Sequence, residues 1–123
     1  MLTPRDLTRM AGVHPDLVRV ITRAREYADF IVTEGLRTTD QQRALVAKGA
    51  SQTMNSRHLT GHAVDLAALV GKEVRWDWPL YGELAKAVKR AAAEEGVTIV
   101  WGGDWPAFRD GPHFELERGR YPA

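Results

Sequence analysis

Residues 56–69 read SRHLTGHAVDLAAL, a polar loop that passes directly into a short predicted strand. In a continuous strand, His58 and Asp65 would be separated by about 23 Å and would point to opposite faces. Gly61 lies between them, and because glycine permits a tight turn, the chain can fold back and bring both side chains to one point. The alternation of the strand places Asp65 and His62 on opposite faces. This stretch therefore predicts that His58 and Asp65 act together, without His62.

Helices and strands are predicted on both sides of this stretch, without the regular alternation of a parallel α/β fold. Apolar residues at helical spacing predict helices over residues 15–28 and 80–95. Thr38 and Gly49 are typical of the beginning and end of another helix. Further strands are predicted in DFIVTEGL (29–36), in VTIVW (97–101) and at the end of GPHFEL (111–116). This order indicates an α+β fold with an antiparallel sheet.

The composition fits one domain and excludes several classes of protein. The 123 residues, 44% of them hydrophobic, suffice for one core, so residues 1–123 are predicted to form a single domain. The 17 basic and 16 acidic side chains give a formal net charge of +1, which excludes the basic surface of a nucleic-acid binder. No stretch approaches the roughly 20 apolar residues of a membrane span, and the first residues contain no apolar run of signal-peptide length.

Because the chain contains no cysteine, histidine and carboxylate side chains are the zinc ligands that it can offer. In GPHFEL, strand alternation places His113 and Glu115 on one face and the apolar residues toward the core. Two imidazoles and one carboxylate, with a fourth position left for water, match the ligand number of a catalytic zinc site. The sequence therefore predicts that His58, Asp65 and His113 bind Zn²⁺, which would lower the pKa of that water.

Two charged residues near these ligands are candidates for the catalytic steps. Asp110 lies three residues before His113, and the turn at residues 111–112 would hold its carboxylate over the water, where a general base is needed. Glu115 is the alternative base, or a hydrogen-bonding partner of the metal ligands. Arg37 follows the first strand and would donate hydrogen bonds to the developing oxyanion or to a substrate carboxylate. Its alternative role is a structural ion pair.

Four residues are candidates for contacts with the substrate. Ser56 has no base beside it in sequence, so we expect it to orient the loop or the substrate by a hydrogen bond rather than to act as a nucleophile. The other three are His62, Trp105 and Glu115. The alternative for His62 is a neighbour of the site that packs or faces solvent, and a tryptophan is more often part of a core than of a cleft. His14 lies at a predicted helix start and is interpreted as a capping residue.

The motif around the first two ligands resembles the signature of a known peptidase family. It follows Ser-x-His-x-x-Gly-x-Ala-x-Asp, the pattern of zinc D-alanyl-D-alanine dipeptidases and carboxypeptidases and of the related phage L-alanyl-D-glutamate endopeptidases, at Ser56, His58, Gly61, Ala63 and Asp65. WGGDW (101–105) with DGPHFE (110–115) resembles the endopeptidase branch, in which the base is an aspartate three residues before the last histidine. EGLRT (34–38) resembles the segment with the family's substrate-polarising arginine. The resemblance covers roughly residues 13–117.

The resemblance implies a compact α+β domain in which helices flank a small antiparallel sheet, with zinc in a cleft on the sheet. It implies that the substrate is the stem peptide of peptidoglycan, cut between L-alanine and D-glutamate as by a phage endolysin. We expect a monomer that is made in the bacterial host cytoplasm without a signal peptide and acts on peptidoglycan in the cell wall or periplasm.

Two other functions compete with this one. One is a D-alanyl-D-alanine carboxypeptidase or dipeptidase, against which the Asp-Gly-Pro-His tail argues. The other is a non-catalytic module that binds peptidoglycan and has lost the base, against which the presence of Asp110 and Arg37 argues.

Overall fold

The structure is a computed structural model and describes residues 2–49, 56–107 and 109–122. The helices within these ranges are α1 (Pro4–Arg9), α2 (Pro15–Ala24), α3 (Thr39–Ala47) and α4 (Trp78–Glu95). The strands are β1 (Phe30–Glu34), β2 (Ala63–Val70), β3 (Glu73–Arg75), β4 (Ile99–Trp101) and β5 (His113–Leu116). Two short 3₁₀ helices span Arg57–Thr60 and Gly102–Asp104. Of the polar loop predicted over residues 50–61, residues 50–55 lie outside the described residues.

The strands described form one antiparallel sheet in the order β1-β2-β5-β4, and β3 pairs with β2 as well. The central strand is β2, which pairs with β1 along one edge and with β5 and then β3 along the other. The α+β class and the small antiparallel sheet flanked by helices are therefore confirmed.

The core lies on one face of this sheet, beneath α2 and α4. Alternate residues of the two inner strands point to this face and are fully buried, namely Val64, Leu66, Phe114 and Leu116. They pack with apolar stripes of the two helices, which include Leu17, Val20, Ile21, Leu84, Val88 and Ala91. Burying one side chain of this size is worth about 1.5–3 kcal/mol. Because side chains alternate along a strand, Asp65 and His113 lie on the opposite face.

Several elements differ from the sequence-based expectation. The predicted helix over 15–28 ends at Ala24, because the carbonyl of Ala24 accepts from the backbone N–H of Tyr27 at 2.9 Å and the chain tightens into a turn before β1. The helix predicted from residue 80 begins at Trp78, since Pro79 fits the first helical turn, where its missing N–H has no cost. Neither α1 nor β3 was predicted, because both are too short to show a periodic pattern.

Gly61 ends the first 3₁₀ helix in a conformation that glycine adopts without strain. Its φ is +74°, and a Cβ atom there would overlap the carbonyl oxygen of Gly12. The carbonyl of Gly61 also accepts a hydrogen bond from the backbone N–H of His14 at 2.8 Å. The turn predicted at Gly61 is present, and it packs directly against the segment that precedes α2.

We expect Gly61→Ala to lower the free energy of unfolding by about 2–5 kcal/mol, because left-handed strain and overpacking add. Gly71→Ala is the matched control, since Gly71 has a φ of +63° with open space around it and should lose about 1–2 kcal/mol from strain alone. Urea denaturation followed by circular dichroism measures both changes. Equal losses would show that the contact with Gly12 does not constrain residue 61.

Candidate active site

Three side chains from separate elements converge on the sheet face opposite the core: His58 from the first 3₁₀ helix, Asp65 from β2 and His113 from β5. Asp65 and His113 are direct partners in the register of the two strands. The Oδ1 atom of Asp65 lies 3.2 Å from Nε2 of His58 and 3.3 Å from Nδ1 of His113. One ligand atom from each residue lies within 4.8 Å of the other two, so the three residues could hold a metal ion. We call His58, Asp65 and His113 the metal-binding group.

The 3₁₀ helix places His58 beside β2 through local hydrogen bonds. The Ser56 hydroxyl caps the turn by accepting from the backbone N–H of His58 at 3.2 Å. The backbone N–H of His62 donates to the carbonyl of Arg57 at 3.0 Å as the chain enters β2. The loop therefore folds back over the start of its own strand, which brings His58 and Asp65 together despite their separation in sequence.

Each histidine of the group uses its second ring nitrogen in a hydrogen bond away from Asp65. Nδ1 of His58 lies 2.8 Å from the carbonyl oxygen of Gly35, and Nε2 of His113 lies 2.8 Å from Oε1 of Glu115. Both rings are buried, as is Glu115. These contacts orient the rings and leave Nε2 of His58 and Nδ1 of His113 toward the shared point, which is the usual arrangement of metal-binding histidines. The donor set therefore fits a divalent metal such as zinc.

The charges in this group favour a cation. Burial disfavours the ionised carboxylate of Asp65, but hydrogen bonds from His113 and His58 outweigh burial and hold the pKa of Asp65 far below its usual range. Burial also disfavours a charged His113, yet its bonds with Asp65 and Glu115 raise the pKa of His113 to about 9. Asp65 is therefore ionised at neutral pH, and a metal ion bound here would replace the proton that His113 carries.

Asp110 lies in the turn that leads into β5. Its backbone N–H donates to the carbonyl of Gly102 at 3.0 Å, and its carbonyl accepts from the N–H of His113 at 3.2 Å. A Cβ atom on Gly102 would overlap the Asp110 carbonyl and come within 3.1 Å of the Cβ atom of His113, so a larger residue would displace the turn. Burial and the nearby charge of Asp65 raise the pKa of Asp110. Asp110 is thus within electrostatic reach of the proposed ligands.

Arg37 is buried beside this group and is held by a carboxylate and an amide. Its Nε and Nη2 donate to the two carboxylate oxygens of Glu34 at 2.7 and 2.6 Å, and its Nη1 donates to Oε1 of Gln42 at 2.5 Å. Its backbone N–H donates to the carbonyl of His58 at 2.9 Å. The ion pair considered as an alternative is therefore present. Among the described residues, these side-chain bonds use three of the five guanidinium N–H groups, which leaves donors for a substrate.

Gln42 is a site residue that the sequence analysis missed. It is fully buried on α3, where a polar side chain in an otherwise helical pattern is easily assigned to the surface. Its contact with Arg37 is local, because Arg37 directly precedes the N-cap of α3. The only signal in the sequence is therefore an amide five residues after an arginine that is itself a candidate site residue.

The two remaining substrate candidates lie on different sides of the group. Trp105 is half-buried, with its ring centroid 5.0 Å from that of His113, so it lines the metal-binding group. His62 lies apart from the group, with Nδ1 2.7 Å from the Thr60 hydroxyl and its ring 5.6 Å from that of His14. Burial lowers the pKa of His62. His14 caps α2 by accepting from the backbone N–H of Asp16 at 3.0 Å, as the sequence indicated.

Arg57, the residue before His58, is buried and connects the 3₁₀ helix to the last strand and the segment after it. Its Nη2 donates to the carbonyl oxygens of Leu116 at 3.1 Å and of Tyr121 at 2.6 Å. Its Nε lies 3.8 Å from a carboxylate oxygen of Glu115 and has no hydrogen-bond partner among the described residues. Burial lowers the pKa of Arg57. The turn with His58 and the strand with His113 are therefore joined behind the metal-binding group.

Comparisons with known proteins identify similar peptidases. A family model described as phage L-alanyl-D-glutamate peptidase matches residues 1–121. The L-alanyl-D-glutamate peptidase of Escherichia phage T5 is 34% identical over an alignment of 119 positions, which covers 92% of this chain and 86% of that protein. The L-alanyl-D-glutamate peptidase of Listeria phage A118 is 41% identical over 93 residues, which are 76% of this chain and 32% of that protein.

The crystal structure of the L-Ala D-Glu endopeptidase ChiX from Serratia marcescens superimposes with a TM-score of 0.94 and 51% sequence identity. The match covers 99% of this chain and 93% of that chain. The overall arrangement of helices and sheet is therefore the one found in a solved endopeptidase.

We expect Glu115→Gln to weaken metal binding roughly 10–100-fold, because the amide keeps the side chain's shape but removes the charge that holds the outer nitrogen of His113. Glu83→Gln, on the exposed side of α4, is the matched control. Competition with a chromophoric chelator measures both affinities. An unchanged affinity in the Glu115 variant would mean that this carboxylate does not support the ligand.

Proposed function

The chain belongs to the phage L-alanyl-D-glutamate peptidase family, and we propose that it uses one zinc ion, bound by His58, Asp65 and His113, to hydrolyse the bond between L-alanine and D-glutamate in the peptidoglycan stem peptide. The observation that carries this proposal is the convergence of two imidazoles and one carboxylate, with the outer nitrogen of each imidazole already engaged. These three residues would hold the ion, and the chemistry it would supply when bound is a lower pKa for the attacking water and polarisation of the scissile carbonyl.

Asp110 is the general base of this proposal. Its place in the turn before His113 and the influence of Asp65 on its pKa support this role, in which the carboxylate would take the proton of the attacking water and pass it to the departing amine of D-glutamate. Glu115, the alternative base, has one oxygen engaged by His113 and is buried on the far side of that ring, so its place favours support of the ligand. This distinction assigns separate roles to the two carboxylates.

Arg37 is the proposed donor for the oxygen of the scissile carbonyl or for a carboxylate of the substrate. Its guanidinium is fixed by Glu34 and Gln42, so the N–H groups that no described residue engages keep one direction while negative charge develops. Trp105 would contact the substrate on the side of His113. Ser56 would stabilise, through its hydrogen bond with the backbone of His58, the loop that carries this histidine. We assign His62 a contact with the substrate at the outer side of this loop.

The substrate of the named relatives favours an endopeptidase over the D-alanyl-D-alanine carboxypeptidase or dipeptidase alternative, since each is described as cutting between L-alanine and D-glutamate. We propose that this chain acts on the bacterial cell wall as a monomer. Within the described residues, no helix has both the length and the hydropathy that crossing a membrane requires.

Removal of the metal should abolish activity, because an uncoordinated water is not activated near neutral pH. After exhaustive chelation, added zinc should restore cleavage, and His113→Ala should bind less zinc by elemental analysis. Mass spectrometry of digested peptidoglycan should show new amino termini at D-glutamate. Full cleavage by the metal-free protein would refute the proposed zinc chemistry, and new termini elsewhere would refute the proposed bond.

Asp110→Asn should retain zinc but lower kcat by about 10²–10⁴, since an amide has a similar shape but cannot accept the proton. Asp104→Asn is the control from the same part of the chain, because Asp104 pairs with Lys89 on the surface. Steady-state kinetics with equal zinc loading compare the two variants. If Asp110→Asn retains activity within a few-fold while Glu115→Gln loses it, the base is Glu115.

A further inference from the structure

Two tryptophans at the start of α4 are unusually exposed. Trp76 and Trp78 are 61% and 44% accessible to solvent, whereas Trp101 is buried. Exposed aromatic residues that lie close together often mark a binding surface. We call the surface formed by Trp76, Trp78 and the exposed Arg109 the tryptophan platform.

Trp76 is held in place by the buried residue Tyr81. The ring of Trp76 stacks on Tyr81, with centroids 6.1 Å apart and planes 9° apart, and its high exposure places the other face in solvent. Tyr81 is itself buried, and its hydroxyl donates to the carbonyl of Arg75 at 3.1 Å and accepts from the N–H of Ala68 at 3.2 Å. A ligand that stacks on Trp76 would therefore meet a face that is already fixed in position.

Trp78 connects the platform to the turn that leads into β5. Its ring stacks on Trp101 at 6.2 Å, and the guanidinium of Arg109 lies 4.7 Å from its ring centroid. Trp78 also lies against Gly111, where a Cβ atom would be 2.9 Å from the indole. Gly111 directly follows Asp110, so the platform is continuous with the loop that carries the proposed base.

The chemistry of peptidoglycan indicates which part of the substrate would meet this surface. L-Alanine is joined directly to the lactyl group of N-acetylmuramic acid, so the glycan lies one residue from the bond between L-alanine and D-glutamate. The stem peptide carries small or charged side chains and offers no broad apolar face. A pyranose ring does present a face of C–H groups, which packs on indole, while its acetamido and hydroxyl oxygens accept hydrogen bonds from arginine.

We propose that the tryptophan platform binds the N-acetylhexosamine units of the glycan strand that bears the stem peptide being cut. This inference rests on the proposed function, because it takes peptidoglycan as the substrate. The platform adds a glycan contact beside the cleavage site and would make the enzyme prefer stem peptides that are still attached to sugar.

The test compares two soluble substrates, the N-acetylglucosaminyl–N-acetylmuramyl stem peptide and the same stem peptide without sugar. Trp76→Ala should raise KM about tenfold for the sugar-linked substrate and leave KM for the free peptide within twofold. Trp76→Phe should retain most of the preference because a ring remains. Leu7→Ala is the control, since Leu7 is 53% exposed on α1, which packs against β1 at the other edge of the sheet.

A second measurement does not depend on catalysis. Titration with the peptide-free disaccharide should change the tryptophan fluorescence of the wild-type protein, and the Trp76→Ala variant should bind the disaccharide about tenfold more weakly. A KM that changes equally for both substrates, or for neither, would overturn the proposal, as would the absence of disaccharide binding. Failure of the wild-type protein to cut either substrate would instead refute the proposed function, and the titration would still test the platform.

Discussion

The pairing of Asp65 with His113 across β2 and β5 is the contact on which the rest of the site depends. The two residues are register partners, and their neighbours Val64 and Phe114 are paired on the opposite face, where both are fully buried. A slip of one residue in β5 would turn over its side chains, placing His113 and Glu115 in the core and Phe114 and Leu116 at the metal-binding group. The hydrophobic core therefore specifies the position of the proposed ligands, although it makes no contact with the ion that they would hold.

Neighbouring polar groups fix the charge and the orientation of the proposed ligands. Buried charges are costly unless they are paired, and here the carboxylate of Asp65 is stabilised by two histidines that are anchored by Gly35 and Glu115. Arg37 and Asp110 then add a donor and an acceptor at the border of the group. The result is a site in which each polar group restricts the orientation of another, as expected when geometry must be retained through a reaction.

Sequence patterns predicted the parts of this site that depend on local rules. Strand alternation separated Asp65 from His62, and the glycine at position 61 predicted the turn that brings His58 back to the strand. The hydrogen bond between Arg37 and Gln42 was not predicted, although both residues lie at the start of α3, because burial of an amide on the first turn of a helix leaves no periodic pattern in the sequence. The same limit applies to β3, whose three residues pair with the far end of β2.

The buried guanidinium of Arg57 has a consequence for how the molecule opens. It donates hydrogen bonds to backbone carbonyls of β5 and of the segment that follows, and it directly precedes His58, a proposed ligand. Detaching residues 117–122 would leave a buried cation with fewer acceptors, a cost that cooperative structure normally avoids. We therefore expect amide hydrogens of the 3₁₀ helix with His58 and of the segment around Tyr121 to exchange in one cooperative unit, so that fraying at this end of the described chain loosens the position of His58.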